Sequence, residues 1–384
     1  MNTAHISDED WGFGTQAIHQ SRSSLDQSRS VTMPIYQTST YTRDLDGNAL
    51  QYEYARGDSP NREALEDTLA SLEHGLFAVV FGSGMAACDA ILRRLHPGEH
   101  ILAGHDLYGG VYRLFETVYR PQGYGIDYCD FDSNGTWTEK IRPQTRVIWL
   151  ETPTNPLLQV SDIEKVAQEA HRHQLTVVID NTFASPYLQN PLSLGADLVV
   201  HSMTKYIAGH SDVIGGAVIG NDPSWHDHLT FLRNAAGPTL GPFDAWLILR
   251  GLKTLALRME QHCRNAEQLV EFLGNHARVG EVYYPSTHPV SHKQMRRGGG
   301  MIAFVLRGGT VEEVYEVLRN LRLFQVAESL GGVESLVSHP ATMTHSAVPE
   351  KERNRRGIVP GLIRLSVGIE EARDLIQDWD NALS

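Results

Sequence analysis

Only six lysines occur in the chain, and one of them, Lys205, follows directly on an apolar run and stands among hydroxyls, in His201-Ser202-Met203-Thr204-Lys205-Tyr206. An amine placed there is suited to attack a carbonyl rather than to meet solvent. Other chemically able residues also close apolar runs. Asp180 ends Val177-Val178-Ile179, and Glu151-Thr152-Pro153-Thr154-Asn155-Pro156 follows Val147 to Leu150. Gly82-Ser83-Gly84-Met85-Ala86-Ala87 follows Phe77 to Phe81 and opens a helix, a setting that attracts phosphate. Taken alone, that run also fits a dinucleotide fingerprint, and Asp180 alone fits a turn cap equally well. Tyr108, in Asp106-Leu107-Tyr108-Gly109-Gly110, offers a ring for stacking. Arg364, in Leu362-Ile363-Arg364-Leu365-Ser366, is a charge where the pattern calls for an apolar residue.

Together these residues match the needs of pyridoxal 5′-phosphate (PLP). A lysine forms the Schiff base, and a carboxylate keeps the pyridine nitrogen protonated. Hydroxyls and a helix start hold the phosphate, a ring stacks on the cofactor, and an arginine takes a substrate carboxylate in a bidentate fork. A dinucleotide-dependent oxidoreductase, with Glu99 or Asp106 as the ribose acid, leaves Asp180, the Ser202–Lys205 cluster and Arg364 unexplained.

The elements that must position these residues are legible as short apolar runs: Phe77 to Phe81, Ile101-Leu102, Val147 to Leu150, Val177 to Ile179, Leu198 to Val200 and Val213 to Ile219. Helical patterns intervene, as at Arg62 to Leu72 and Ile163 to His173. Alternation of this kind predicts a mostly parallel sheet covered on both faces, whose ligands gather beyond the strand ends. A long amphipathic stretch, about residues 245–273, leads to a smaller α+β part with strands at Ile302 to Leu306 and Leu362 to Val367 and helices at 311–320 and 370–382. The expected organisation is an N-terminal arm (1–56), a cofactor-binding domain (57–250) and a C-terminal domain (251–384).

With 384 residues the chain can bury a sizeable core. A formal charge of −13 argues against a nucleic-acid partner. Cys88, Cys129 and Cys263 are scattered, which suggests neither disulfides nor a zinc site. The His171/His173 and His226/His228 pairs read as solvated rather than metal-binding. The polar N-terminus lacks a secretory pattern and no apolar run approaches the roughly 20 residues of a membrane helix, so the expectation is a cytoplasmic protein with no membrane partner.

With these residues in hand, the chain resembles the Cys/Met-metabolism family of PLP enzymes, most closely its cystathionine γ-lyase and γ-synthase members. The likeness runs from about Phe13 to the C-terminus. It rests on Tyr52-Glu53-Tyr54-Ala55-Arg56, Asp106 to Arg113, Glu151 to Pro156, Asp180-Asn181-Thr182, Ser202 to Tyr206 and Ser329 to His345. The resemblance implies the fold type I architecture of aspartate aminotransferase and a homotetramer built from two catalytic dimers. It makes Lys205 the Schiff-base lysine and Asp180 the pyridinium partner, with Thr182 beside it in the cofactor site. It makes Gly84, Met85, Ser202 and Thr204 the phosphate cup, and Tyr108 the stacking ring that helps proton transfer. Tyr54 and Arg56 reach the phosphate from the neighbouring subunit, and Asn155, Ser329 and Arg364 contact the cofactor oxygen and the substrate carboxylate. The run Gly57-Asp58-Ser59-Pro60-Asn61 departs from the family's Gly-Asn-Pro-Thr pattern. Both replacements can still cap, so the following helix is expected to start normally.

Methionine γ-lyase carries a cysteine where this chain has Gly110. Glu53 and Glu328 go, in the resemblance, with small amino-acid substrates bearing a second amino-acid head, such as cystathionine. The expected reaction is γ-elimination of L-cystathionine to cysteine, 2-oxobutanoate and ammonia. The alternative is γ-replacement on an O-acylhomoserine, followed by methionine γ-lyase or O-acylhomoserine sulfhydrylase chemistry.

Overall fold

The computed structural model describes residues 11–20, 30–46, 51–131, 135–346 and 348–384. Its strands are β1 Phe77–Phe81, β2 His100–Gly104, β3 Gly125–Cys129, β4 Thr145–Glu151, β5 Thr176–Asp180, β6 Leu198–Ser202, β7 Gly216–Gly220, β8 Val279–Tyr283, β9 Met301–Leu306, β10 Gln325–Val326, β11 Leu336–Ser338 and β12 Leu362–Ser366. The larger sheet has the order β1-β7-β6-β5-β4-β2-β3. Its strands run parallel except β7, which lies antiparallel to both neighbours.

Both faces of this sheet are covered, as the continuous apolar runs require. On one face Val80, Val199 and Ile219 pack with Leu65, Leu69 and Ile248. On the other, Val79, Phe81, Val200 and Val218 pack with Ala87, Ile91 and Leu229. The period-two alternation along β1 thus serves two separate cores.

Three expectations shift. The strand foreseen at Val213 to Ile219 begins only at Gly216, because the Gly215 amide is taken by Thr204 Oγ1 at 3.1 Å. The stretch 245–273 divides into helices Pro242–Leu252 and Leu255–Asn275. Near the break, a Cβ on Gly251 would lie 2.2 Å from the Ala208 carbonyl oxygen, and the buried Arg258 reaches Gly251 O at 2.9 Å and Tyr206 O at 2.6 Å. Finally, β2, β3 and β8 are longer or additional elements whose short, mixed sequences carry little periodicity.

The smaller sheet has the order β10-β11-β12-β9-β8 and is antiparallel except for the β10–β11 pair. Trp379 lies edge-on between Phe304 and Phe324, at 5.3 and 5.5 Å, behind β9. Within the N-terminal arm, the helix Phe13–His19 and Met33 join the main core through Ala17 and Met33.

The helix Pro60–Leu72 starts normally with Ser59 as its N-cap, but the Ser59 hydroxyl makes no capping bond and is buried without a partner. Asn61 instead holds the arm, accepting from Tyr36 N and donating to Pro34 O, both at 2.8 Å. Among the described residues, no helix is long and apolar enough to cross a membrane.

Candidate active site

Parallel strands deliver their C-terminal ends to one edge, where Glu151 of β4 stands opposite Asp180 of β5 in register. Asp180 is 9% exposed, and burial raises its carboxyl above the ordinary range. Thr182 opposes that shift by donating from its amide at 3.0 Å and its hydroxyl at 2.5 Å, both to Oδ1. The same hydroxyl accepts from Ser202 N at 2.9 Å, so one oxygen ties the end of β5 to the end of β6.

Opposite Ser202 lies the turn after β1. A Cβ on Gly84 would come 2.9 Å from Ser202 Cβ, so only glycine lets the two backbones approach. Ser83 caps the nine-residue helix Gly84–Leu92 by accepting from Ala86 N at 3.1 Å. The amides of Gly84 and Met85 lie in its open first turn, where an anion is favoured. Gly216 of β7 closes in behind, where a Cβ would lie 2.1 Å from Ser83 O. The Thr204 hydroxyl fastens the loop before β7 through Gly215.

Lys205 donates from Nζ to Ser329 Oγ at 2.8 Å. Burial and the Arg364 charge lower its amine to about 8, against an opposing pull from Glu328. Ser329 has φ of 80°, a left-handed backbone that costs a non-glycine residue. Its carbonyl accepts from Arg364 Nη2 at 3.1 Å. Arg364, central in β12 and 3% exposed, also donates from Nη1 to Asn155 Oδ1 at 2.9 Å, while its Nε has no partner. Burial lowers this guanidinium to about 10.

Tyr108 is held by its backbone, whose amide donates to Glu151 Oε2 at 2.7 Å. Burial, with Asp180 nearby, pushes the Glu151 acid well up. A Cβ on Gly110 would come 2.4 Å from Tyr108 Cε1, and one on Gly109 would come 2.4 Å from Thr344 O. Burial raises the Tyr108 phenol, and Glu328 adds to the shift. Glu328 is exposed, yet its charge acts on Lys205, Tyr108 and Arg364 together.

Three expected site residues lie apart from this cluster within the chain. Arg56 donates to Asn234 O at 2.8 Å and sits 5.1 Å over the Tyr54 ring. Glu53 pairs with Arg43 at 2.6 Å and is more than half exposed. Among the described residues, none of the three shares a hydrogen bond or ion pair with Lys205, Asp180, Ser202 or Arg364.

Sequence reasoning gave no role to Glu151, Arg258 or His345. His345 bonds Asn155 O through Nε2 at 3.0 Å, and burial lowers its imidazole to about 4. The signal for Glu151 was present, a carboxylate closing an apolar strand in the manner of Asp180. His345 closes the run Ser329 to His345, but nothing in that run points to its partner 190 residues away.

The arrangement fits PLP on its own terms. Asp180 is a buried carboxylate with both protein hydrogen bonds on one oxygen, suited to a cation in the pocket. Gly84 lets Ser202 close against the open first turn of the helix Gly84–Leu92, whose free amides suit a phosphate, and the half-buried amine of Lys205 is an available nucleophile.

The description "Cys/Met metabolism PLP-dependent enzyme" belongs to the family model that matches residues 14–384. A cystathionine β-lyase of Coxiella burnetii is 46% identical over 376 residues, covering 96% of this chain and 97% of that protein. A cystathionine γ-lyase of Bacillus subtilis is 44% identical over 374 residues, with 96% and 98% covered. The crystal structure of a cystathionine γ-synthase from Xanthomonas oryzae pv. oryzae in complex with cystathionine superposes with a TM-score of 0.94 at 41% identity, covering 97% of this chain and 98% of that one.

Proposed function

Since the chain belongs to the Cys/Met metabolism family of PLP-dependent enzymes, we propose that it cleaves cystathionine at the γ-carbon–sulfur bond, with water, to cysteine, 2-oxobutanoate and ammonia. It is a transsulfuration enzyme with PLP as cofactor, and its relatives at about this identity divide among cystathionine β-lyase, γ-lyase and γ-synthase. Glu328 carries the choice of a substrate with two amino-acid heads. Its carboxylate stands where its charge reaches Lys205, Tyr108 and Arg364, the surroundings of the bound substrate in this reading. A distal ammonium would satisfy it, whereas a methyl thioether would leave it unpaired.

Bound in the pocket, PLP supplies an electron sink for a carbanion at the substrate α-carbon. Lys205 would hold it, Asp180 and Thr182 would face its ring nitrogen, and Asn155 its ring oxygen. Gly84, Met85, Ser202 and Thr204 would receive the phosphate, joined by Tyr54 and Arg56 of a second copy. Arg364 and Ser329 would hold the substrate α-carboxylate beside the Lys205 amine. The Lys205 amine would take the Cα proton and then move a proton at Cβ. Tyr108 would stand against the cofactor and supply a proton to the departing sulfur. Shared sites of this kind suit a dimer of catalytic dimers.

A second reading, β-elimination to homocysteine, pyruvate and ammonia, is favoured by the 46% identity to a cystathionine β-lyase. Product analysis separates them. With cystathionine, 2-oxobutanoate and cysteine are expected; pyruvate and homocysteine would replace the γ-reading. Faster cystathionine formation from an O-acylhomoserine and cysteine would make the enzyme a synthase.

A further inference from the structure

One face of the helix Leu255–Asn275 carries polar residues where a core helix ordinarily presents apolar ones. Arg258, His262 and Asn265 follow one another at spacings of four and three, so they share that face, and all three are buried. Among the described residues none of them pairs with a carboxylate, and they donate chiefly to backbone carbonyls. Buried polar groups cost stability unless each finds a partner, and an apolar face could pack here without that demand. What this face adds is a fixed distance between the backbone segments it grips.

Those segments belong to two parts of the site. Arg258 donates from Nη1 to Tyr206 O at 2.6 Å and from Nη2 to Ile207 O at 3.3 Å, and these two residues directly follow Lys205. Gly209 lies so close that a side chain there would collide with the guanidinium. His262 donates from Nδ1 to Val367 O at 2.7 Å, while Asn265 donates from Nδ2 to Gly368 O at 3.0 Å and Glu370 O at 2.7 Å. This second stretch begins directly after β12, the strand of Arg364. Between the two grips, the His262 ring stands edge-on to Tyr206 at 5.1 Å. At about 1.5 Å of rise per residue, the helix from Arg258 to Asn265 is a stiff span of roughly 10 Å. One end holds the turn that follows β6 of the larger sheet, and the other holds the exit from β12 of the smaller one.

We propose that Arg258, His262 and Asn265 are positioning residues, and that their helix is a strut which sets the spacing between the Lys205 amine and the Arg364 guanidinium. Arg258 fixes the nucleophile's turn, and His262 and Asn265 fix the strand that carries the carboxylate anchor. The inference rests on Lys205 and Arg364 serving one substrate, as in the proposed function.

The test uses the holoenzyme and reads kcat and KM for cystathionine together with the visible circular dichroism of bound PLP, which reports how the cofactor sits against the protein. Arg258→Met loosens the lysine end. It should change the dichroism and lower kcat about tenfold, with KM near native. Asn265→Ala loosens the arginine end. It should leave the dichroism native and raise KM about tenfold, with kcat near native. Should Arg258→Met fail to fold, Arg258→Lys, which keeps the charge but loses the fork, carries the same expectation at smaller amplitude. Matching changes of kcat and KM in the two variants, or native dichroism in the Arg258 variant, would leave the helix face a support of the fold and overturn the inference. Arg364→Gln is the control. A native KM there overturns the assignment of Arg364; a raised KM there, with a native KM in Asn265→Ala, overturns this inference alone.

Discussion

Lys205 and Ser329 lie 124 residues apart in the chain, and their side chains meet at 2.8 Å. One follows β6 of the larger sheet, the other lies in the loop before β11 of the smaller sheet, so the amine is aimed by a residue from the other sheet's part of the chain. The left-handed backbone of Ser329 is held by the bond its carbonyl accepts from Arg364. Lysine, serine and arginine therefore form one mechanical unit.

Lys205→Ala is expected to remove the visible absorbance of bound cofactor and essentially all turnover. Borohydride reduction of the native holoenzyme, followed by peptide mapping, should label Lys205. A label on any of the other five lysines would refute the assignment.

Arg56 and Tyr54 stack on each other, away from their own chain's Lys205 cluster. If they serve a neighbouring copy, Arg56→Ala and Lys205→Ala chains, each inactive, should regain activity when mixed, because one hybrid site keeps both residues. Absence of recovery after verified subunit exchange would mean that sites are not shared.

Replacing Glu328 with Val should lower kcat/KM for cystathionine about ten- to a hundredfold, as expected for a lost charge-assisted bond of roughly 1–3 kcal/mol. Activity on methionine or homocysteine should fall less, or rise. An equal loss on all three substrates would make Glu328 a structural residue and remove the main support for a two-headed substrate.

The free amine of Lys205 acts as a base only when unprotonated, and its position near 8 places an acid limb in the kcat profile around that pH. Glu328 stabilises the protonated form, so Glu328→Gln should lower the amine further and move the limb to lower pH. A shift to higher pH would contradict the electrostatic contact between the two.

Burial lowers His262 and His345 to about 4, from an ordinary value near 6.5. Between those two values the unfolded chain binds protons that the folded chain does not. The share of stability these two histidines contribute is therefore full above about pH 6.5 and declines as pH falls toward 4, by on the order of 2–3 kcal/mol for each histidine. Titration of the two imidazoles by NMR in the folded cofactor-free protein should find both still neutral at about pH 5.0, and midpoints near 6.5 would rule the contribution out.

The residues legible in the sequence were those that end apolar strands, because strand ends in a parallel sheet are both periodic and local. Asp180, Lys205 and the Gly84 turn were singled out this way, Arg364 stood out as a charge within an apolar run, and the structure places all four at or beside the strand ends and in β12. What escaped was set by contacts across the fold. Glu151 fixes the Tyr108 amide from 43 residues away, and Arg258 of the helix Leu255–Asn275 binds the carbonyls after Lys205 from about 52 residues away. Neither leaves a pattern within any short window. The Ser59 departure misled in a smaller way, since a residue with capping chemistry sits at the cap without making the bond.

The reversed strand β7 also governs when the sheet can be completed. β1 borders only β7 in the sheet, with Phe77 paired to Gly220. At about 5–20 residues per second on the ribosome, β1 waits roughly 7–30 s for that partner to be made. Throughout this interval the sequence Phe77-Ala78-Val79-Val80-Phe81 is an unpaired apolar edge, the kind of segment that seeds aggregation. A nascent chain stalled before residue 216 should be cut by protease near β1, and one stalled well beyond 220 should resist. The turn at residues 82–85, which follows β1, is thus finished among the last parts of its sheet.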